Sequence, residues 1–286
     1  MTYLLTPFVL MLAQVGPNPA TGGMPGVPPE LRDRPQREQA APPPQQSALA
    51  QCLRQASTDP QGALDTAQRW REAAQTDLEF AQSAHCLGLA LVRLGRRNEA
   101  RQAFDLASAE APQDNLSYGA RLAAMAGNAA MAEGDTDAAI GLLDRAGGMA
   151  LAADDGELAA DLRVDLARVL VRVGREEDAA LALAEAREAD ALDAEAWLLS
   201  ATLSRRLERL FEAQSQIQRA SFLSPRDPQV ALEAGVIAAL SGRADDARSN
   251  FETVVRLAPG SPESERAQGY LDQLTSGPEN SDTPEE

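Results

Sequence analysis

The chain has 286 residues, 44% hydrophobic and only 4% aromatic, with 26 basic and 43 acidic side chains and a formal net charge of −17. All the basic residues are arginine, and with the abundant Ala and Gly this points to a GC-rich bacterial coding sequence. That charge excludes general nucleic-acid binding, which draws on dense positive charge, and one histidine with two cysteines excludes a His-rich metal site and a four-ligand zinc site without carboxylates.

Residues 3–13 form an apolar run, YLLTPFVLMLA. It is too short for a stable membrane span, which needs about 20 apolar residues, but it suits the apolar core of a signal peptide. No Lys or Arg precedes it, and Met11 is a poor match for the small residue that usually lies two before a cleavage point such as Ala13. Residues 1–13 therefore read as a signal peptide and the protein as periplasmic or secreted; otherwise it is cytoplasmic, with an apolar tail that nothing nearby would bury. Residues 14–44, rich in Pro, Gly, Gln and Ala, show no helical periodicity and read as a flexible tether.

Helical patterns follow to residue 275. Residues 47–58 and 61–74 read as a degenerate helical pair within 45–76, turning at Asp59-Pro60. Further helical pairs are predicted at about 81–114, 116–154, 157–191, 194–226 and 228–260. Small residues Gly88, Gly127, Ala167, Ala201 and Gly235 recur midway along the first helix of each pair, and Ala100, Ala139, Ala179, Ala213 and Ala247 in the second. A side chain no larger than a methyl lets the paired helices lie close. Phe104, Leu143, Leu183, Ile217 and Phe251 follow those alanines by four residues, one turn along the same face. Gly95, Gly134, Gly174 and Gly242 fall between the helices, where a left-handed backbone can end a helix. Pro112, Pro225 and Pro259 close three of the second helices. Residues 262–274 read as a last, amphipathic helix, and 276–286 as an acidic disordered tail.

From Ala201 to Gly235, Ala213 to Ala247 and Pro225 to Pro259 the step is 34 residues. That period and the small-residue layout resemble the tetratricopeptide repeat family over about residues 45–275. Steps of 39 and 40 residues separate Gly88, Gly127 and Ala167, so extra residues are expected in helices or turns there. Alanine often fills the family's large positions, at Ala84, Ala123 and Ala231, and one is Arg163. The resemblance implies an all-α, right-handed solenoid of helix-turn-helix repeats, with 262–274 covering the last apolar face. Cys52 and Cys86, 34 residues apart, then fall on the first helices of neighbouring units. Either they form a disulfide, as export would favour, or they are two buried thiols.

No catalytic constellation emerges, and no enzyme, cofactor or metal is expected. His85 and Cys86 are adjacent, so on a helix their side chains point about 100° apart. Acidic clusters such as Glu176-Glu177-Asp178 sit at helix starts, where they complement the dipole. No phosphate-cradling loop occurs, because Gly147-Gly148 lies inside a helix pattern.

The resemblance also implies a working surface: the concave groove lined by the first helix of each unit. Transferred to this chain, it places Asn128, Arg168, Arg172, Leu198, Thr202, Arg205, Arg206, Leu232 and Val236 in the groove, together with His85, Leu89 and Val164. Arginine forks bind carboxylates bidentately, which points to a protein or peptide partner with acidic character. The bland alternative pairs these arginines with Asp161, Asp165, Glu195 and Glu208. Chaperone-binding members of the family use a clamp of Lys, Asn, Asn, Lys and Arg, of which only Asn128 is matched, so binding to chaperone tails is not expected. The function implied is a non-enzymatic scaffold in the bacterial periplasm. The alternatives are a cytoplasmic adaptor and a self-assembling module joined through Trp197, Phe211 and Phe222. The oligomeric state is left open.

Overall fold

The computed structural model describes residues 47–275. The expected signal peptide, tether and acidic tail lie outside the described residues. Thirteen helices follow one another there, with no strand among them. They pair in chain order as α1 (Ala48–Thr58) with α2 (Pro60–Ala73), α3 (Asp77–Arg93) with α4 (Arg97–Ala109), and α5 (Leu116–Glu133) with α6 (Thr136–Ala152). Next come α7 (Gly156–Arg172) with α8 (Glu176–Ala189), α9 (Ala194–Arg206) with α10 (Leu210–Leu223), and α11 (Pro228–Leu240) with α12 (Ala244–Leu257); α13 (Pro262–Thr275) packs on the last pair.

The two kinds of helix start differently. Six first helices are opened by a polar side chain that accepts a backbone N–H: Ser47, Thr76, Asn115, Asp155, Asp193 and Asp227. Thr76 and Glu79 form a full capping box. Four second helices, α4, α8, α10 and α12, start instead at an arginine with no side-chain cap. Their entry is set by the turn before them. Gly95 takes φ 75°, which lets the Arg96 N–H reach back to the Leu91 carbonyl at 2.9 Å. Glu208 holds the same place between α9 and α10 at φ 61°, with Arg209 N–H bonded to the Ser204 carbonyl at 2.8 Å.

Size complementarity locks each pair. A Cβ added at Gly88 would lie 2.5 Å from the Phe104 ring, and one at Gly235 would lie 2.4 Å from Phe251. Where the first helix has glycine, the second can therefore lay down an aromatic ring. Where it has Ala167 or Ala201, Leu183 or Ile217 fills the place, and all these side chains are buried. Arg163 departs from this rule. It is buried on α7 and reaches Asp144 on α6 and Glu185 on α8, while Gly147 leaves room for its guanidinium.

The longer steps in the sequence appear as longer helices. Helices α5, α6 and α7 have 18, 17 and 17 residues, against 13 or 14 in α9 to α12. The core runs from neighbour to neighbour and is built mostly of alanine with Leu, Val and Phe. Cys52 on α1 and Cys86 on α3 are joined in a buried disulfide with Cα atoms 6.0 Å apart. On the chain-entropy model a loop of 34 residues is worth roughly 3–4 kcal/mol.

Candidate functional site

The first helices carry the residues expected in the groove. Along α7 the exposed or half-buried row reads Glu157, Asp161, Asp165, Arg168 and Arg172, acid at the start and base at the end, in step with the helix dipole. The same order recurs on α9, from Glu195 to Arg205 and Arg206.

Most of the expected arginines are answered within the chain. Arg168 donates to Asp165 at 2.8 Å and to Glu195 at 2.5 Å. Arg205 pairs with Glu233 at 2.5 Å, and Arg206 pairs with Glu176. Arg172 has no hydrogen-bond or ion-pair partner among the described residues. With Arg121–Asp155 at 3.9 Å, the Arg168–Glu195 and Arg205–Glu233 pairs form a ladder, each joining one first helix to the start or body of the next.

Between α7 and α9 the surface opens into a pocket of about 180 Å³. Ala167, Val171, Leu183, Leu199 and Leu203 line it, and Arg168, Thr202 and Arg206 stand around it. The Thr202 hydroxyl donates to the Leu198 carbonyl at 3.0 Å, so its methyl is left to the lining. A second apolar pocket, of about 260 Å³, lies between α11 and α13 and is lined by Val236, Ala239, Leu240, Phe251, Tyr270, Gln273 and Leu274.

Beside the first pocket lies an acidic edge. Burial first, then crowding by Asp193, Glu157, Asp165 and Glu195, holds the Asp161 carboxyl above its ordinary range. Asp193 is partly engaged in capping α9, through the N–H groups of Glu195 and Ala196. Glu157 and Asp161 have no hydrogen-bond or ion-pair partner among the described residues.

The structure thus brings together Arg168, Thr202 and Arg206 of the expected set and places Val236 in the second pocket. Asn128 is exposed on α5, outside both linings. Leu198 is half-buried against the core cluster of Ala201 and Ile217 and is not part of the pocket lining. Leu232, 8% exposed, packs with Phe251 and Val254, so it contributes no groove surface. Val164 is buried as well. Trp197 is not an open aromatic: Arg187 lies 4.7 Å over its ring, and its indole N–H donates to the Ala191 carbonyl at 3.1 Å.

The residues that sequence reasoning missed are Val171, Leu199 and Leu203. The run Trp197-Leu198-Leu199 signalled an apolar surface there, but the pocket takes the row Leu199, Thr202, Leu203 and Arg206, one residue round from the row through Leu198.

The single histidine and its neighbouring cysteine form no reactive couple. His85 Nδ1 lies 3.1 Å from the Tyr118 hydroxyl, with the Phe104 ring edge-on at 6.2 Å. Burial lowers the pKa of the imidazole and pushes the Tyr118 phenol up to about 12. Cys86 is in the disulfide, so it forms no thiolate–imidazole couple with His85. Among the described residues no group of His, Cys, Asp and Glu could hold a metal ion, and no helix is long and apolar enough to cross a membrane.

No family model matches the chain, and no curated protein does. Solved structures do match its fold. The crystal structure of YrrB, described as a TPR protein with an unusual peptide-binding site, is 20% identical with a TM-score of 0.53, over 72% of this chain and 99% of that one. Pseudomonas aeruginosa PilF is 15% identical with a TM-score of 0.54, over 78% of this chain and 97% of that one. The apo form of RapI reaches a TM-score of 0.63 at 12% identity, over 80% of this chain and 69% of that one. With the 34-residue step and the small-over-large packing of the helical pairs, these neighbours show that the chain has the fold of a tetratricopeptide-repeat solenoid.

Proposed function

We propose that the protein is a non-enzymatic interaction scaffold that holds a segment of a partner protein along the groove of its first helices, in a bacterial periplasm. One observation carries the binding reading: the open apolar pocket between α7 and α9, with Arg168, Thr202 and Arg206 at its lip. Pockets of this kind, mostly apolar with a few polar groups at the edge, suit an inserted side chain. The likeness to YrrB, whose description names a peptide-binding site, agrees with that use of the face. The compartment is supported by the Cys52–Cys86 disulfide, since such bonds persist in oxidising surroundings, and by the apolar run at 3–13.

The test is a photo-crosslinking residue placed at Thr202, with a control at Glu252 on α12. A partner trapped from Thr202 and not from Glu252, and lost when Leu199→Arg fills the pocket, supports the reading. Equal trapping at both positions would sink it. Intact-mass analysis of the protein from its host tests the compartment: loss of about a dozen amino-terminal residues is expected of an exported chain.

A second reading, self-association, is favoured by the outer face of α10, where Phe211 and Phe222 are 89% and 75% exposed. They stand eleven residues apart and so share one side of the helix. A constant monomer mass in light scattering across a wide concentration range removes it.

A further inference from the structure

We infer that the partner segment is a cationic, amphipathic stretch of protein, with an apolar side chain for the pocket between α7 and α9 and a Lys or Arg for the carboxylates beside it. The inference rests on the groove reading above and adds the sign of the ligand.

Three of the four arginines that suggested an acidic ligand are occupied, and Arg172 stands apart at the end of α7. Arg168 already faces Asp165 and Glu195, Arg205 faces Glu233, and Arg206 faces Glu176. At these three an incoming carboxylate would have to displace a carboxylate already in place. The carboxylates are in the opposite condition. Glu157, Asp161, Asp165, Asp193 and Glu195 crowd together, and Arg168 is the guanidinium that answers two of them. A cation arriving there meets Glu157 and Asp161, which no arginine among the described residues pairs with, and it relieves repulsion as it binds. The net charge of −17 favours the approach of a basic segment over an acidic one and disfavours an anionic lipid surface.

The geometry sets a spacing. Asp161 lies six to ten residues before Ala167, Arg168 and Val171 on the same helix, about 10–15 Å along its axis. An extended ligand covers that distance in three or four residues and a helical one in seven to ten. The basic side chain is therefore expected at such an offset from the apolar anchor, rather than next to it.

The experiment uses the full chain and three synthetic peptides with one central leucine. Their residues three and four away from it are Lys in one, Gln in the second and Glu in the third. Fluorescence polarisation is read at low and high salt. The expected result is that the Lys peptide binds about tenfold tighter than the Gln peptide and the Glu peptide most weakly, with the preference fading in salt. Glu157→Gln with Asp161→Asn should bring the Lys peptide down to the Gln level and leave the Gln peptide unchanged. Leu199→Arg, or Thr202→Arg should the first disturb folding by circular dichroism, should abolish binding of all three.

If the three peptides bind equally and all respond to the pocket variants, the cationic inference falls and the groove reading stands. Tighter binding of the Glu peptide has the same consequence. Binding that ignores the pocket variants, or no binding at millimolar peptide, overturns both.

Discussion

The two apolar pockets of the groove face occupy equivalent places in the repeat, and they differ at the lip. Residues 68 apart, two periods of 34, correspond: Arg168 to Val236, Val171 to Ala239, Leu183 to Phe251, Thr202 to Tyr270 and Arg206 to Leu274. The floor is an apolar side chain from the second helix in both cases. The lip is arginine and threonine in the middle of the array, and valine, tyrosine and leucine at its end. Midway between them, Arg205 and Glu233 span α9 and α11 with an ion pair. The lesson is a division of labour. The period decides where a hollow forms between successive first helices, and the exposed row decides whether it is charged, bridged or apolar.

Removing the floors should produce the largest effects and separate the two sites. Phe251→Ala leaves a cavity under the terminal pocket and is expected to cost about 3–5 kcal/mol; Leu183→Ala should cost about 2–4 kcal/mol. In a nearest-neighbour solenoid the first frays one end, whereas the second cuts the array in two. Hydrogen exchange should therefore show faster opening confined to 228–275 in the first variant, and on both sides of α8 in the second. Uniform opening of the whole array in both would break the picture of local coupling.

Copying the terminal lip onto the central pocket is a gentler change. Arg168→Val with Arg206→Leu removes exposed ion pairs and should shift stability by no more than about 1 kcal/mol in denaturant melts. Yet it releases Asp165 and Glu195 from Arg168, so a Lys-bearing peptide should bind a few-fold tighter. Weaker binding would mean that the arginines themselves hold the ligand.

Titration gives the smallest effects. The Asp161 carboxyl is raised in the folded state, so its favourable contribution belongs to the protonated form. That contribution is present below the ordinary carboxylate range and is lost as pH rises through the folded value. Asp161→Asn should remove this dependence and leave the protein slightly more stable at neutral pH, measured by denaturant midpoint. A control lies away from both pockets at His85, whose pKa burial lowers. Its neutral form favours the fold, so that increment is present above the ordinary 6.5 and is lost as pH falls through the depressed folded value. His85→Gln should flatten the acid limb of the stability curve by a small amount.

The fold was legible because its signals are local and repeated. Gly88 and Phe104 lie sixteen residues apart, and the same pairing returns at Gly235 and Phe251, so one rule read many times gave the architecture. The site was less legible because it is assembled from three helices at once. Arg205 had several carboxylates within plausible reach, and the relation of α9 to α11 selected Glu233. Leu232 sits on α11, a helix that is apolar nearly all round, so no polar face marked which residues turn inward. The cationic character of the ligand was hidden for the same reason. Sequence counts charges, but only packing shows which of them are already paired.

The Cys52–Cys86 bond has a mechanical consequence. It ties α1 directly to α3 and closes the intervening chain into a loop. Tension applied near residue 47 would pass through the sulfur atoms and bypass α2 and the first half of α3. The 34-residue separation corresponds to about 110 Å of contour length. That length is held out of reach of a pulling force while the bond is intact, and reduction would release it in a single step. An optical-tweezers trace with and without reductant would display the hidden length directly.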